Sequence, residues 1–158
     1  MAVRPIPEGY EGATPYLCCN DAAGAIEFYK KAFGATEVMR MAAPGGKIGH
    51  AELKIGKAVL MLSDEWSDMG HKSPKTLGGS PVGIMVYFED VDAIAQQAVA
   101  AGGKLTEPLK DQFYGDRSGT LEDPFGHRWF IATHKEDVPP DEMERRAAKA
   151  MVGPVTPL

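Results

Sequence analysis

The sequence predicts an α+β protein: two tandem βαβββ modules forming a curved mixed sheet, with helices on the convex side and a concave face left open to a ligand. Three observations carry this prediction. The order strand–helix–strand–strand–strand occurs twice. The punctuation of the two copies agrees at one shift of 69 residues, relating Thr14 to Gly83, Asp21 to Asp90, Gly34 to Gly103 and Met61 to Phe130. Within the copies, strict apolar/polar alternation marks strands that bury one face only.

The chain divides accordingly into an arm (1–12), a first module (13–63), a connection (64–80), a second module (81–135) and a C-terminal helix with a tail (136–158). The arm carries Pro and Gly. Thr14 to Cys19 reads as a strand. Asp21 is a good N-cap, and Ile26, Phe28, Tyr29, Ala32 and Phe33 form the apolar stripe of a helix that Gly34 stops. Thr36 to Met41 is a second strand. Gly49 to Ile55 shows the clearest alternation: Ala51, Leu53 and Ile55 share one face, and His50, Glu52 and Lys54 the other. Gly56-Lys57 reads as a hairpin turn before the strand Ala58 to Leu62.

Residues 64–80 break the pattern. They are either a linker or a flap that brings Trp66 and Met69 over a pocket. The second module repeats the order, with a strand at Pro81 to Phe88, a helix capped by Asp90 or Asp92 and ended by Gly102-Gly103, and a strand at Lys104 to Leu109. Phe113 and Tyr114 sit in the loop that follows. Asp123-Pro124-Phe125-Gly126 is a tight turn between the last two strands. Alternation in the last strand sends Trp129 and Ile131 to the core and Arg128 and Phe130 to the concave side. His127 falls on the other parity and orders the turn. Pro139-Pro140-Asp141 opens the C-terminal helix, whose thin apolar content suits a surface or a partner chain.

Composition narrows the function classes. With 44% hydrophobic and 25% charged residues, the chain can bury a sizeable core. A net charge of −5 argues against nucleic acid as a partner, which would need clustered Lys and Arg. No apolar run approaches a membrane span, and the N-terminus lacks the apolar core of a signal peptide, so the cytoplasm is the expected place. Cys18 and Cys19 are adjacent, poorly placed to bridge each other, and fit no metal spacing.

The double βαβββ order, the Ile26-Glu27-Phe28-Tyr29 and Phe33-Gly34-Ala35 segments, and Asp123-Pro124-Phe125-Gly126-His127 resemble the vicinal oxygen chelate superfamily. That superfamily includes glyoxalase I, extradiol dioxygenases, and fosfomycin- and bleomycin-resistance proteins. The Gly49-His50-Ala51-Glu52-Leu53 segment and the run from Asp116 to Trp129 look most like its PhnB-like, bacterial glyoxalase/bleomycin-resistance branch. The resemblance implies a small-molecule ligand on the concave face and a homodimer. In the metal-dependent members it also implies a divalent ion held by the first and fourth strands of each module. The matching positions here are Thr14, Met61, Gly83 and Phe130, none of which is His, Glu, Asp or Cys. No metal and no other cofactor is therefore expected.

The expected function is metal-free binding of a small apolar or aromatic molecule. Thr14, Tyr16, Met61, Met85, Tyr87, Arg128 and Phe130 are the expected ligand-facing set, with Trp66, Phe113, Tyr114 and Arg117 as loop contacts. The alternative is a lyase, isomerase or dioxygenase-type enzyme using a non-standard metal, or His50 and Glu52 as an acid/base pair. A solvated strand face is the plainer account of that pair.

Overall fold

The computed structural model describes residues 3–151 and has the tandem architecture. The first module comprises β1 (Tyr16–Cys19), α1 (Ala22–Phe33), β2 (Thr36–Ala42), β3 (Ile48–Ile55) and β4 (Ala58–Asp64). A connection containing the short helix α2 (Pro74–Leu77) leads to β5 (Gly83–Tyr87), α3 (Val91–Ala100), β6 (Lys104–Asp111), β7 (Asp116–Glu122) and β8 (Arg128–His134). The helix α4 (Pro140–Met151) follows. The strands form two four-stranded mixed sheets, in the orders β1-β4-β3-β2 and β5-β8-β7-β6. Among the described residues no ladder joins one sheet to the other, so the concave side is made of two panels, not one continuous hydrogen-bonded sheet.

The repeat is exact in the two parallel ladders, while the antiparallel ladders are offset: Glu52 pairs with Met61, but Thr120, not Leu121, pairs with Phe130. Tyr16 lies opposite Met61 in the parallel β1–β4 ladder, and Met85 lies opposite Phe130 in β5–β8. The caps agree too: Asp21 accepts from the Gly24 amide and Asp90 from the Ala93 amide, each at 2.9–3.0 Å. The helix ends differ by one residue. Gly34 takes the left-handed conformation (φ 66°), whereas the residue that does so after α3 is Gly102 (φ 110°), not the repeat equivalent Gly103. Gly103 is instead confined by packing, since a Cβ there would lie 3.2 Å from both Leu121 and Phe28. In β6, Pro108 withholds a ladder donor and the pairing slips on both sides of Glu107, which an edge strand tolerates.

The core lies between the helices and the two sheets. Leu17, Leu53, Leu60 and Leu62 of the first sheet and Leu121, Trp129 and Ile131 of the second are buried beneath α1 and α3. The aromatic stripe of α1 reaches the second module: Trp129 lies 5.2 Å from the Tyr29 ring centroid and 4.8 Å from that of Phe33. Asp123 is the polar knot of this contact. Its carboxylate accepts from the Tyr29 hydroxyl (2.6 Å), the Trp129 indole (2.9 Å) and the amides of Phe125 and His127 (2.9 Å each). His127 Nε2 then meets the Cys18 carbonyl at 2.9 Å, tying the turn to β1. Burial pushes the Cys18 thiol up to about 11 and the Cys19 thiol higher, so neither is a thiolate near neutral pH. Cys18 and Val59 share the parity of the concave residues but are buried.

The connection is folded onto the first module. Glu65 accepts from the Ser73 amide (2.8 Å) and the Thr76 hydroxyl (2.7 Å), and Trp66 pairs with His71 through backbone hydrogen bonds.

Candidate functional site

The polar alternates of each sheet face away from the helices, and on that side the chain leaves large side chains open. Tyr16, Met85, Tyr87 and Phe130 are between 36% and 56% exposed, and such a grouping of exposed apolar side chains marks an interaction surface. Three open cavities run along this side. The first, about 550 Å³, opens at the seam where the edge strands β1 and β5 meet, lined by Thr14, Tyr16, Val82, Met85, His127 and Arg128 among others. The second, about 600 Å³, lies on the first sheet between Tyr16, Gly49, Ser63, Trp66, Met69 and His71. The third, about 280 Å³, lies on the second sheet and includes Met85, Glu107, Tyr114, Ser118, Thr120 and Phe130. Tyr16 belongs to the first two and Met85 to the first and third, so this repeat-related pair joins the three into one stripe.

On the first sheet a polar chain crosses β1 and β3. The Tyr16 hydroxyl lies 2.7 Å from His50 Nδ1, and His50 Nε2 lies 3.1 Å from Glu52 Oε1. The other Glu52 oxygen accepts the Tyr10 hydroxyl, which brings the N-terminal arm onto the sheet. The hydrogen bonds of Tyr10 and then His50 hold the Glu52 carboxyl below its ordinary range. A carboxylate only accepts, so in the neutral imidazole Nε2 carries the hydrogen and Nδ1 accepts the Tyr16 proton. Beside this chain, Ser63 Oγ and His71 Nε2 are 3.0 Å apart.

The second sheet carries a different set. Ser118 and Thr120 stand where β3 has His50 and Glu52, because Thr120 pairs with Phe130 as Glu52 pairs with Met61. The Tyr87 hydroxyl donates to Asp116 (2.7 Å), whose other oxygen meets His134 Nδ1 (2.7 Å). The Arg128 guanidinium lies 5.3 Å from the centroid of the Phe130 ring.

Not every residue expected at the site gathers there. Thr14 precedes β1, which starts at Tyr16, yet it lines the seam cavity. Trp66 and Met69 reach the first-sheet cavity, and Tyr114 reaches the second-sheet one. Met61 is half-buried, and Tyr87 is engaged by Asp116. Phe113 packs edge-on against Tyr114 outside the three cavities. Arg117 is a correction: its parity on β7 turns it to the helix side, where it binds Asp92 (2.7 Å) and Asp111 (3.3 Å). Asp116, its neighbour in sequence, binds Tyr87 and His134 on the other face. Tyr10, Ser63, His71 and Val82 were missed. Extending β4 by two residues from Met61 gives Ser63, but Tyr10 and His71 lie in segments without periodicity.

The positions that match the metal ligands of glyoxalase-type relatives do not fit a divalent ion. A Cβ at Gly83 would collide with the Phe130 ring, so ring and glycine occupy one spot on the concave side. Neither they nor Thr14 and Met61 offer a carboxylate, imidazole or thiolate. Among the described residues, no three His, Cys, Asp or Glu side chains group as metal ligands.

Paired βαβββ modules with an open, aromatic-lined concave side define a fold class with many chemistries. The chain belongs to the Glyoxalase/Bleomycin resistance protein/Dioxygenase superfamily, whose family model matches residues 13–131. It is 45% identical over 134 residues to the Mycobacterium tuberculosis protein Rv0887c, covering 83% of this chain and 79% of that one. Among solved structures it is similar to TioX from Micromonospora sp. ML1 (26% identity, TM-score 0.60, 78% of this chain and 99% of that one). It also resembles the Arabidopsis thaliana At5g48480 gene product (26%, TM-score 0.63, 78% and 98%). A Bacillus cereus PhnB protein shares the fold at 19% identity (TM-score 0.61, 78% and 99%). No helix among the described residues is long and apolar enough to cross a membrane.

Proposed function

We propose that this protein binds a small apolar or aromatic molecule on its concave side, without a metal, as a member of the PhnB-like, bleomycin-resistance-type branch. The observation that carries this reading is the seam cavity of about 550 Å³, walled by Tyr16, Val82 and Met85 and continued on each side by an open sheet face. A mainly apolar wall with sparse polar groups suits a small ligand. The lack of metal-ligand chemistry at Thr14, Met61, Gly83 and Phe130 supports the metal-free part. Purified protein should bind the neutral dye N-phenyl-1-naphthylamine saturably, with the same affinity in excess EDTA. Met85→Glu, which puts a charge in the wall, should weaken the dye about tenfold or more. Absence of saturable binding by the wild type would overturn the reading.

We further propose a homodimeric, cytoplasmic protein with neither nucleic acid nor membrane as partner; the exposed Tyr16, Tyr87 and Phe130 with Met39 and Met41 on β2 support the dimer, and the net charge of −5 supports the absence of a nucleic-acid partner. Solution mass by light scattering tests the dimer.

The second reading is an enzyme. It is favoured by the Tyr16–His50–Glu52 chain, in which a half-exposed phenol faces two cavities with an oriented imidazole behind it. Tyr16 would take a proton from a substrate carbon while its own passes to His50 Nδ1, and Glu52 would stabilise the imidazolium. Deuterium exchange into the methyl group of acetophenone, followed by proton NMR, tests this. Acceleration lost in Tyr16→Phe supports the enzyme; no acceleration above buffer counts against it.

A further inference from the structure

We infer that the ligand of the seam cavity carries an anionic group, a carboxylate or sulfonate, held by Arg128 while its apolar body lies between Tyr16 and Met85. The inference rests on the reading of that cavity as a ligand site, and names the chemistry the site selects.

Arg128 opens β8 and, among the described residues, is the one formally charged side chain in the cavity wall. His127, the other ionisable base there, has its Nε2 engaged by the Cys18 carbonyl. Among the described residues no Asp or Glu lines the cavity. The arginines elsewhere on the described secondary structure are paired: Arg40 with Glu37, Arg117 with Asp92 and Asp111, Arg145 with Glu142, and Arg146 with Glu136 and Glu142. Arg128 makes no ion pair or side-chain hydrogen bond among the described residues, in a chain whose net charge is −5. Its cross-strand neighbour Glu122 stays outside ion-pair range, and the guanidinium lies instead against the Phe130 ring. With the ring beside it and no ion pair or side-chain hydrogen bond among the described residues, its N–H donors remain available. A planar fork of donors at the mouth of an apolar cavity matches a carboxylate or sulfonate attached to an apolar body.

Two dyes with the same ring system separate charge from shape: anionic 8-anilinonaphthalene-1-sulfonate and neutral N-phenyl-1-naphthylamine. Both are titrated by fluorescence into wild-type, Arg128→Gln and Arg128→Lys protein. Arg128→Gln is expected to weaken the anionic dye about tenfold or more beyond any effect it has on the neutral dye. Arg128→Lys should retain part of the anion affinity, because the charge remains without the planar fork. Unchanged affinity for the anionic dye in Arg128→Gln overturns the anion while leaving the cavity reading in place. Equal weakening of both dyes also overturns it, since Arg128 would then only shape the wall. If neither dye binds wild-type protein, the cavity reading fails and takes this inference with it.

Discussion

The Tyr29 hydroxyl donates across 2.6 Å to the buried Asp123 carboxylate, and this bond joins the helix of the first module to the last turn of the second. Hydrogen bonds to charged groups contribute about 1.5–3 kcal/mol. Tyr29→Phe should lower stability by about that amount in urea unfolding with the fold retained. Asp123→Ala should cost more than Tyr29→Phe, because it strands the Tyr29 hydroxyl, the Trp129 indole and two backbone amides at once.

Burial and the Asp123 charge also raise the Tyr29 pKa well above 10. The neutral phenol is favoured in the folded protein, so its contribution is complete below pH 10 and is lost as pH rises towards the folded value. Wild-type stability should therefore fall above pH 10 more steeply than that of Tyr29→Phe, as read from urea midpoints between pH 9 and pH 11.

His134 gives a second pH dependence in a milder range. Its hydrogen bonds with Asp116, and then Asp137, raise its pKa above the ordinary 6.5. The imidazolium is favoured in the folded state, so this stability is present in full below pH 6.5 and is lost as pH rises through the folded value. The stability difference between wild type and His134→Gln should be largest near pH 6 and shrink by pH 9. A difference that grows with pH would contradict the assignment.

Gly83 and Phe130 share one spot on the concave side, since a Cβ on the glycine would collide with the ring. The ring is partly exposed and can swing away, so Gly83→Ala should cost only about 1 kcal/mol. In a Phe130→Ala background that cost should vanish. A double-mutant cycle by urea unfolding reads the coupling.

Much of the fold was legible because its signals are local. Asp21 and Asp90 cap their helices from equivalent places, and the ladders Tyr16–Met61 and Met85–Phe130 keep the predicted shift. Strand alternation placed Trp129 and Ile131 in the core and Phe130 outside it. The illegible parts depend on tertiary contact. Nothing in the arm marks Tyr10 as a partner of Glu52, and His71 reaches Ser63 only because the connection folds back over the first sheet. Arg117 was drawn to the site by its neighbours in sequence, but one position of strand parity sends it to Asp92. The break between the two sheets was equally hidden, since alternation reports which face is buried and not which edges pair.

The seam between β1 and β5 is the proposed binding place of a small apolar molecule. Backbone amide NMR shifts, followed while N-phenyl-1-naphthylamine is titrated into the protein, test it most directly. The predicted result is one saturable set of changes centred on Tyr16, Leu17, Gly83, Ile84 and Met85, unaltered by EDTA. Shifts that never saturate, or that centre on the α1–α3 side of the sheets, would contradict it.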